Sequence, residues 1–259
     1  MSLVKGFLMN EADYKTNLET CFVIDKFLQK MDNKESRVKT VLKMGILDRL
    51  AELLDCNVDE EVTEHLLNIY LYLSRRSDFD VREIVSERFI DSIKGHLSSD
   101  YCRNREKAMD IISNCFDRDE AKNVCDDLID QQSVYLLCGY LEEVSRDTFY
   151  ALRCLSSFVK SYNTVLISYL IEEQNIIITV FKLLREKNLT LQALIFIKNL
   201  LEYGEIISNK EGNPIANQFE KDDYANELFD LQSSSSGEEY NKCSEIINTW
   251  FEEEEDESF

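Results

Sequence analysis

The sequence predicts an all-α protein, a right-handed superhelical solenoid of about five three-helix repeats followed by a C-terminal cap. One observation is composition: 7 glycines and 1 proline in 259 residues are too few for a chain rich in tight turns. The 44% hydrophobic content is nevertheless enough for a continuous core. The other observation is a fourteen-residue pattern that recurs at a nearly constant interval, which is the signature of a repeat architecture.

The recurring pattern consists of a short apolar helix end, a polar or glycine corner, and apolar residues at helical spacing. Its copies end at Leu54, Leu97, Leu141 and Leu184, which are 43, 44 and 43 residues apart. A degenerate fifth copy ends near Leu231. The corners are predicted at Gly45, Arg88, Gln132 and Asn175.

Longer amphipathic stretches lie between the copies and predict a long third helix in each repeat. They cover residues 60–75, 103–116, 148–161 and 189–203. A period in the forties with three helices is typical of armadillo and HEAT arrays, in which each unit buries its apolar faces against its neighbours. We therefore expect a lead-in over 1–13, an armadillo-repeat solenoid over 14–251 with a cap at 237–251, and an acidic tail over 252–259.

The net charge of −21 excludes some classes of partner. Such a surface repels phosphate backbones and anionic membranes and attracts basic partners, so we predict neither a nucleic acid nor a membrane as ligand. The alternative is that the charge only keeps a large surface soluble. The longest apolar region, 164–184, is interrupted by polar residues. The eight cysteines form no C-x-x-C pair and are predicted to be reduced core residues, which favours the cytoplasm and nucleus.

The sequence contains no pattern of residues typical of catalysis. His65 and His96 are the only histidines, and there is no phosphate-binding glycine loop, H-E-x-x-H motif, nucleophile elbow or metal-ligand spacing. We therefore predict that the protein is not an enzyme and has no catalytic residues, metal or cofactor. A hydrolase with two acidic catalytic residues is the alternative, and it would require two carboxylates in a closed pocket.

Both ends of the sequence resemble the ends of the armadillo array of importin alpha (karyopherin alpha), in a divergent and shortened form. Near the start, the residues that carry the resemblance are Leu18-Glu19-Thr20-Cys21, Phe27-Leu28 and the copy that ends at Leu54. Near the end they are Asn213-Pro214, Leu231-Gln232, Glu238-Glu239-Tyr240, Glu245-Ile246-Ile247, Trp250-Phe251 and the acidic run 252–257.

The resemblance implies an adaptor for nuclear import that binds basic, extended localisation signals on concave third helices. In that family, tryptophans pack on lysine stems and asparagines hold the peptide backbone. The tryptophan positions correspond here to Asn68, Asp110, Tyr150 and Ile195, and the asparagine positions to Tyr72, Asn114, Cys154 and Asn199. Only Asn114 and Asn199 match the family pattern, and the single tryptophan, Trp250, lies in the last helix.

Three acidic residues near these positions, Glu64, Glu106 and Asp110, are candidates to pair with basic residues of a bound peptide. The neighbouring Arg103, Arg105, Lys107 and Arg153 would weaken that field.

The resemblance also implies importin beta and an export receptor as partners. The export receptor would contact Trp250 and the tail residues Glu252, Glu253, Glu254 and Glu255. The alternative retains the fold but not the transport role: a general armadillo scaffold or regulatory subunit that binds folded partners.

Overall fold

The computed structural model describes residues 2–9, 14–30, 34–55, 59–77, 80–118, 126–210 and 212–251. The chain forms two compact units, Met1–Ser161 and Tyr162–Phe259. Apart from one isolated bridge between Asn209 and Gly212, regular structure in these residues is helical.

The first unit contains nine α-helices among its described residues. They are α1 (Ser2–Met9), α2 (Tyr14–Gln29), α3 (Lys34–Lys43), α4 (Leu47–Asp55), α5 (Glu60–Ser74), α6 (Glu87–His96), α7 (Cys102–Phe116), α8 (Gln131–Glu142) and α9 (Arg146–Val159). The long helices α2, α5, α7 and α9 pack side by side in chain order, while α4 packs on α6. Thus α5, α7 and α9 are the predicted third helices of three repeats, and α2 occupies the same position ahead of them.

The second unit contains six α-helices among its described residues. They are α10 (Thr164–Glu172), α11 (Ile176–Leu183), α12 (Thr190–Ile206), α13 (Pro214–Lys221), α14 (Tyr224–Ser234) and α15 (Gly237–Trp250). The long helices α12 and α15 pack against each other, and α11, α13 and α14 fill the positions beside them. No single helix in the described part of the chain is long and apolar enough to cross a membrane, although the pair α10 and α11, bent by 69°, has the length and composition together.

The helices form where the apolar stripes lie. Every repeat contributes fully buried side chains to a core of leucine, isoleucine and phenylalanine, including Phe89, Phe158, Phe181, Phe196 and Phe219. Burying a side chain of this size contributes about 1.5–3 kcal/mol, and stacked repeats supply most of their burial to one another.

The corners of the repeats differ from the sequence prediction at two of four positions. Gly45 (φ 60°) and Asn175 (φ 49°) lie at predicted corners and adopt the left-handed conformation, and so does Asp223 (φ 67°) in the fifth copy. The predictions for Arg88 and Gln132 were wrong, because both residues lie inside helices. There the helix begins earlier, after Ser86 and Asp130, whose side chains accept hydrogen bonds from backbone N–H groups of the first turn.

In two repeats the described residues show less of the expected first helix. Before α6 and α8, the described residues show only three-residue 3-10 turns, Val81–Glu83 and Asp126–Leu128.

The cysteine prediction holds for Cys21, Cys115, Cys138, Cys154 and Cys243, which are buried and form no disulfide among the described residues. It was wrong for Cys102, which is exposed because it occupies the first position of α7, at the protein surface. Cys56 and Cys125 lie outside the described residues.

Candidate peptide-binding surface

The predicted site residues lie on the long helices of the repeats. Glu64, Asn68 and Tyr72 are on α5; Glu106, Asp110 and Asn114 are on α7; Tyr150 is on α9; and Asn199 is on α12. In the first unit we call the outer face of α2, α5, α7 and α9 the third-helix surface. Trp250 ends α15, and residues 252–255 lie outside the described residues.

Asp110 and Asn114 are held by arginines of the protein itself. Arg75 Nη2 lies 2.9 Å from Asp110 Oδ2, and Arg153 Nη1 forms an ion pair with the other carboxylate oxygen. Arg153 Nη2 also donates to Asn114 Oδ1 (2.8 Å), while Asn114 Nδ2 donates to Ser74 Oγ (3.0 Å). Asp110 and Asn114 are 7% and 9% exposed, so they bridge α5, α7 and α9 rather than stand free in solvent.

The other two acidic candidates are also paired across repeats. Lys107 Nζ donates to Glu64 Oε1 (3.1 Å) and, through that hydrogen bond and its charge, lowers the pKa of the Glu64 carboxyl. Glu106 is buried, and Arg146 Nε lies 2.5 Å from its Oε1. A further pair joins Arg105 Nη2 to Asp147 Oδ2 (2.5 Å), and this hydrogen bond raises the pKa of Arg105.

The tyrosine and asparagine candidates have individual environments. Tyr72 Oη is buried and has no hydrogen-bond partner among the described residues. The Tyr150 ring packs edge-on against Phe149, with the ring centroids 5.5 Å apart. Asn68 Nδ2 makes a long contact of 3.4 Å with the buried Asp25, and Asn199 is 4% exposed on α12. In the second unit, Trp250 Nε1 donates to Glu205 Oε1 (2.9 Å), which ties the end of α15 to α12.

A cavity of about 650 Å³ opens between α2 and the first turns of α5. We call it the α2–α5 cavity; it is lined by Leu18, Glu19, Phe22, Val23, Glu61, Glu64 and His65. Its floor is apolar: Phe22 and Val23 are 45% and 44% exposed, and His65 stands edge-on to the Phe22 ring at a centroid distance of 5.3 Å. Three carboxylates border that floor.

The imidazole of His65 is held in place by a hydrogen bond to a buried carboxylate. His65 Nδ1 lies 2.8 Å from Oδ2 of Asp25, a side chain only 1% exposed. Gln29 Nε2 donates to the other Asp25 oxygen (2.5 Å). Phe22, Glu19 and Glu61 are not among the binding residues predicted from the sequence. The signal for them was the pair of apolar residues, Phe22 and Val23, which extends α2 beyond its core-facing stripe.

In the part of the chain that the structure describes, no group of three or more His, Cys, Asp or Glu side chains is arranged so that it could hold a metal ion.

Comparison with known proteins identifies the fold. No family model matches the sequence, and no curated protein matches it. Among solved structures, a set of computationally designed armadillo repeat proteins for modular peptide recognition superimposes with a TM-score of 0.77 at 16% identity, over 96% of this chain and 98% of the other. A designed armadillo repeat protein in complex with the peptide (KR)4 has a TM-score of 0.76 at the same identity and coverage. A third designed armadillo repeat protein has a TM-score of 0.74, also at 16% identity over 96% and 98%.

At this identity the likeness shows the fold alone: the chain has the armadillo-repeat fold. The predicted all-α armadillo solenoid is confirmed. The resemblance to importin alpha in particular stays a prediction.

Proposed function

We propose that this chain is a protein-binding adaptor that holds a basic, extended segment of another protein on its third-helix surface, with the α2–α5 cavity as the main contact. The observation that carries the proposal is the combination in that cavity of an exposed aromatic ring with Glu19, Glu61 and Glu64. A lysine or arginine stem can lie on the Phe22 ring while its charged end meets the carboxylates.

Overall charge and fold support the same partner. A net charge of −21 attracts basic segments at long range. One similar designed structure is described as a complex with (KR)4, and another as designed for modular peptide recognition. Those descriptions concern the designed proteins. For this chain they support a basic peptide as the partner.

The α2–α5 cavity is a better candidate than the Asp110 and Asn114 positions because internal competition is weaker there. Lys26 lies over the Phe22 ring (5.6 Å to its centroid) and Lys107 pairs with Glu64, but Phe22 is 45% exposed whereas Asp110 is 7% exposed. A cationic residue of a ligand would have to displace Arg75 or Arg153 from Asp110. Those arginines are attached to the same chain, so their effective concentration is high and no net contact is gained. We therefore expect Glu106, Asp110 and Asn114 to hold the repeats together, and Glu64, Asn68 and Tyr72 to lie nearer the ligand.

The finer role that we propose is that of an importin-alpha-like adaptor working between the cytoplasm and the nucleus. Importin beta and an export receptor would be its transport partners, with Trp250 and residues 252–255 at the export contact. Import of a reporter fused to a bound basic peptide, measured in permeabilised cells with and without this protein, tests that role.

The second candidate is a scaffold or regulatory subunit that binds folded partners without reading basic segments. A specific observation favours it: Glu64, Glu106 and Asp110 are all neutralised by bases of neighbouring repeats. The two candidates differ in salt dependence, because binding of a basic peptide to carboxylates weakens as salt screens the charges.

The deciding experiment is fluorescence anisotropy of a labelled lysine-arginine octapeptide titrated with the protein at low and physiological salt. We expect saturable binding that weakens with salt and that drops about five- to tenfold in the Phe22→Ala, Glu19→Gln double variant, through loss of ring and charge contacts. The matched control is Tyr135→Ala, Glu142→Gln on α8, which also removes one exposed aromatic ring and one exposed carboxylate. Absence of binding at low salt, or equal affinities for the two variants, would favour the scaffold.

A further inference from the structure

A second, larger cavity of about 810 Å³ lies where α4 and α6 end and α5 and α7 begin. We call it the corner cavity. Its wall contains six carboxylates, contributed by Asp55, Asp59, Glu60, Glu61, Asp91 and Asp100. Neutral residues, among them Thr63, Ser92, Tyr101 and Asn104, complete the lining.

The carboxylates of the corner cavity differ from those of the third-helix surface in having no counter-ion. Glu64, Glu106, Asp110 and Asp147 are each paired with an arginine or lysine. None of the six corner carboxylates lies within ion-pair distance of a described lysine, arginine or histidine. Four acidic residues of the third-helix surface are thus neutralised by bases of the protein, whereas the six of the corner cavity are not.

The other charged groups near the corner cavity do not compensate this charge. Burial lowers the pKa of His96, the histidine in the lining, and its Nε2 lies 3.3 Å from the Leu54 carbonyl oxygen. Arg105 Nη1 donates to the carbonyl oxygens of Ser99 (2.6 Å) and Asp100 (3.3 Å), but its charge is already matched by Asp147. The C-terminal ends of α4 and α6 also lie at this cavity, and a helix C-terminus favours cations.

Asn104 is the independent sign that the corner cavity accepts a polar ligand. It is only 4% exposed, it lines the cavity, and its amide has no hydrogen-bond partner among the described residues. The buried Ser92, by contrast, donates to the carbonyl oxygens of Ala51 (3.2 Å) and Arg88 (2.9 Å). The Asn104 amide faces the cavity, where a ligand can replace the water that meets it, and the amide oxygen can accept from a guanidinium or ammonium group.

We propose that the corner cavity binds arginine or lysine side chains of a protein partner, as a second basic-residue site at the edge of the repeats. The carboxylates are distributed around the wall so that no three described side chains come together as metal ligands, which favours an extended organic cation over a divalent ion. The volume exceeds that of one arginine side chain, so the cavity accommodates a basic residue together with part of its backbone.

This site goes beyond the proposed function because it does not depend on the α2–α5 cavity. The two cavities share Glu61 but otherwise use different residues. A partner can therefore occupy either alone, or run past the start of α5 and occupy both.

Cys102 provides a local reporter for the experiment, since it is exposed and follows Tyr101 in the cavity wall. An environment-sensitive fluorophore is attached to Cys102 in a variant that carries Cys56→Ser and Cys125→Ser. The probe is the lysine-arginine octapeptide, and a serine-glutamine octapeptide serves as the uncharged control. Circular dichroism of each variant confirms that it is folded before the titration.

We expect a saturable signal with the basic peptide and none with the uncharged one. Asp91→Asn, Asp100→Asn should weaken binding to the reporter at least fivefold, Asn104→Leu should weaken it less, and the control Tyr135→Ala, Glu142→Gln should leave it unchanged. An unchanged affinity in Asp91→Asn, Asp100→Asn overturns the corner site, while a loss in Phe22→Ala, Glu19→Gln alone would support only the α2–α5 cavity. The two proposals can thus fail separately.

Discussion

Arg153 on α9 forms an ion pair with Asp110 on α7, 43 positions earlier in the sequence. The same guanidinium donates to Asn114 Oδ1. Arg153 thus engages both Asp110 and Asn114, the two polar residues of α7 that the sequence predicted to bind a peptide. The spacing equals one repeat, and the contact therefore joins equivalent helices of neighbouring repeats. In this part of the surface the polar residues stabilise the stack.

The first prediction concerns that contact. Asp110→Ala and Arg153→Met should each destabilise the protein by about 2 kcal/mol, because Asp110 is almost buried. Its removal takes the counter-ion from Arg75 and leaves Arg153 only the longer contact to Asp117 (3.8 Å). The double variant should reveal a coupling of about 1–2 kcal/mol in urea unfolding followed by circular dichroism. The exposed Lys15 and Glu19 pair, whose atoms are 4.0 Å apart, is the control and should show coupling below about 0.5 kcal/mol. Equal coupling in the two pairs would show that Arg153 does not stabilise the stack.

The second prediction concerns the pKa of Glu64. Lys107 lowers the pKa of this carboxyl in the folded protein, so the pair stabilises the fold above the unfolded-state pKa and loses that contribution as pH falls through the folded value. Lys107→Met should return the Glu64 pKa towards 4.5 in a carbon-detected NMR titration. The Glu64 side chain is 46% exposed, so the change in stability should stay below about 1 kcal/mol. A Glu64 pKa that does not move would contradict the pairing.

The third prediction concerns thiol reactivity. Burial raises the pKa of Cys21, Cys138 and Cys154 to about 12 and that of Cys243 to about 11, so these thiols stay protonated at pH 8. In a variant carrying Cys56→Ser and Cys125→Ser, an aromatic disulfide reagent should modify one thiol, Cys102, in the native protein. The remaining thiols should react only on unfolding in urea. Rapid release of more than one equivalent from the native protein would contradict the buried positions.

The sequence predicted the repeat interval and the long helices well, because a period of 43 or 44 residues and apolar spacing are local signals. It also identified the corners at Gly45 and Asn175, where residue type matches a left-handed backbone. The roles of the predicted peptide-binding residues could not be inferred from their positions in the repeat alone. Asp110, for example, pairs with arginines from the repeats on both sides. A usable signal was present: Glu64 and Lys107, and Asp110 and Arg153, are opposite charges one repeat apart.

The corner cavity was beyond sequence reasoning for a different reason. Its carboxylates come from three helices, α4, α5 and α6, and from the residues just before α5 and α7, and their closeness depends on how α4 packs against α6 and how α5 packs against α7. Acidic residues are common throughout the chain, so their number along the sequence carried no information about where they remain unpaired.

The last prediction concerns Gly204 on α12, where the structure leaves no room for a side chain. A Cβ there would lie 2.0 Å from Oδ1 of Asn213, which begins α13 by accepting from the N–H groups of Ile215 (3.0 Å) and Ala216 (3.1 Å). Asn213 Nδ2 also donates to the Leu201 carbonyl oxygen (2.9 Å), so the residue cannot move without losing contacts to both helices. Gly204→Ala should therefore destabilise the protein by about 2 kcal/mol or more, as overpacking is combined with loss of a helix cap.

The matched control for this prediction is Gly139 on α8. A Cβ at that position has no atom within 4 Å, so Gly139→Ala should stabilise the protein by about 0.5–1 kcal/mol through helix propensity. Thermal unfolding followed by circular dichroism measures both effects, and opposite shifts of Tm are expected. If Gly204→Ala unfolds at the same temperature as the unaltered protein, then Asn213 does not approach α12 as the structure shows. The position of a Cβ is fixed by the backbone, so an alanine at 204 could not avoid Asn213 by changing its side-chain conformation. An unchanged Tm would therefore mean that other contacts form the cap of α13.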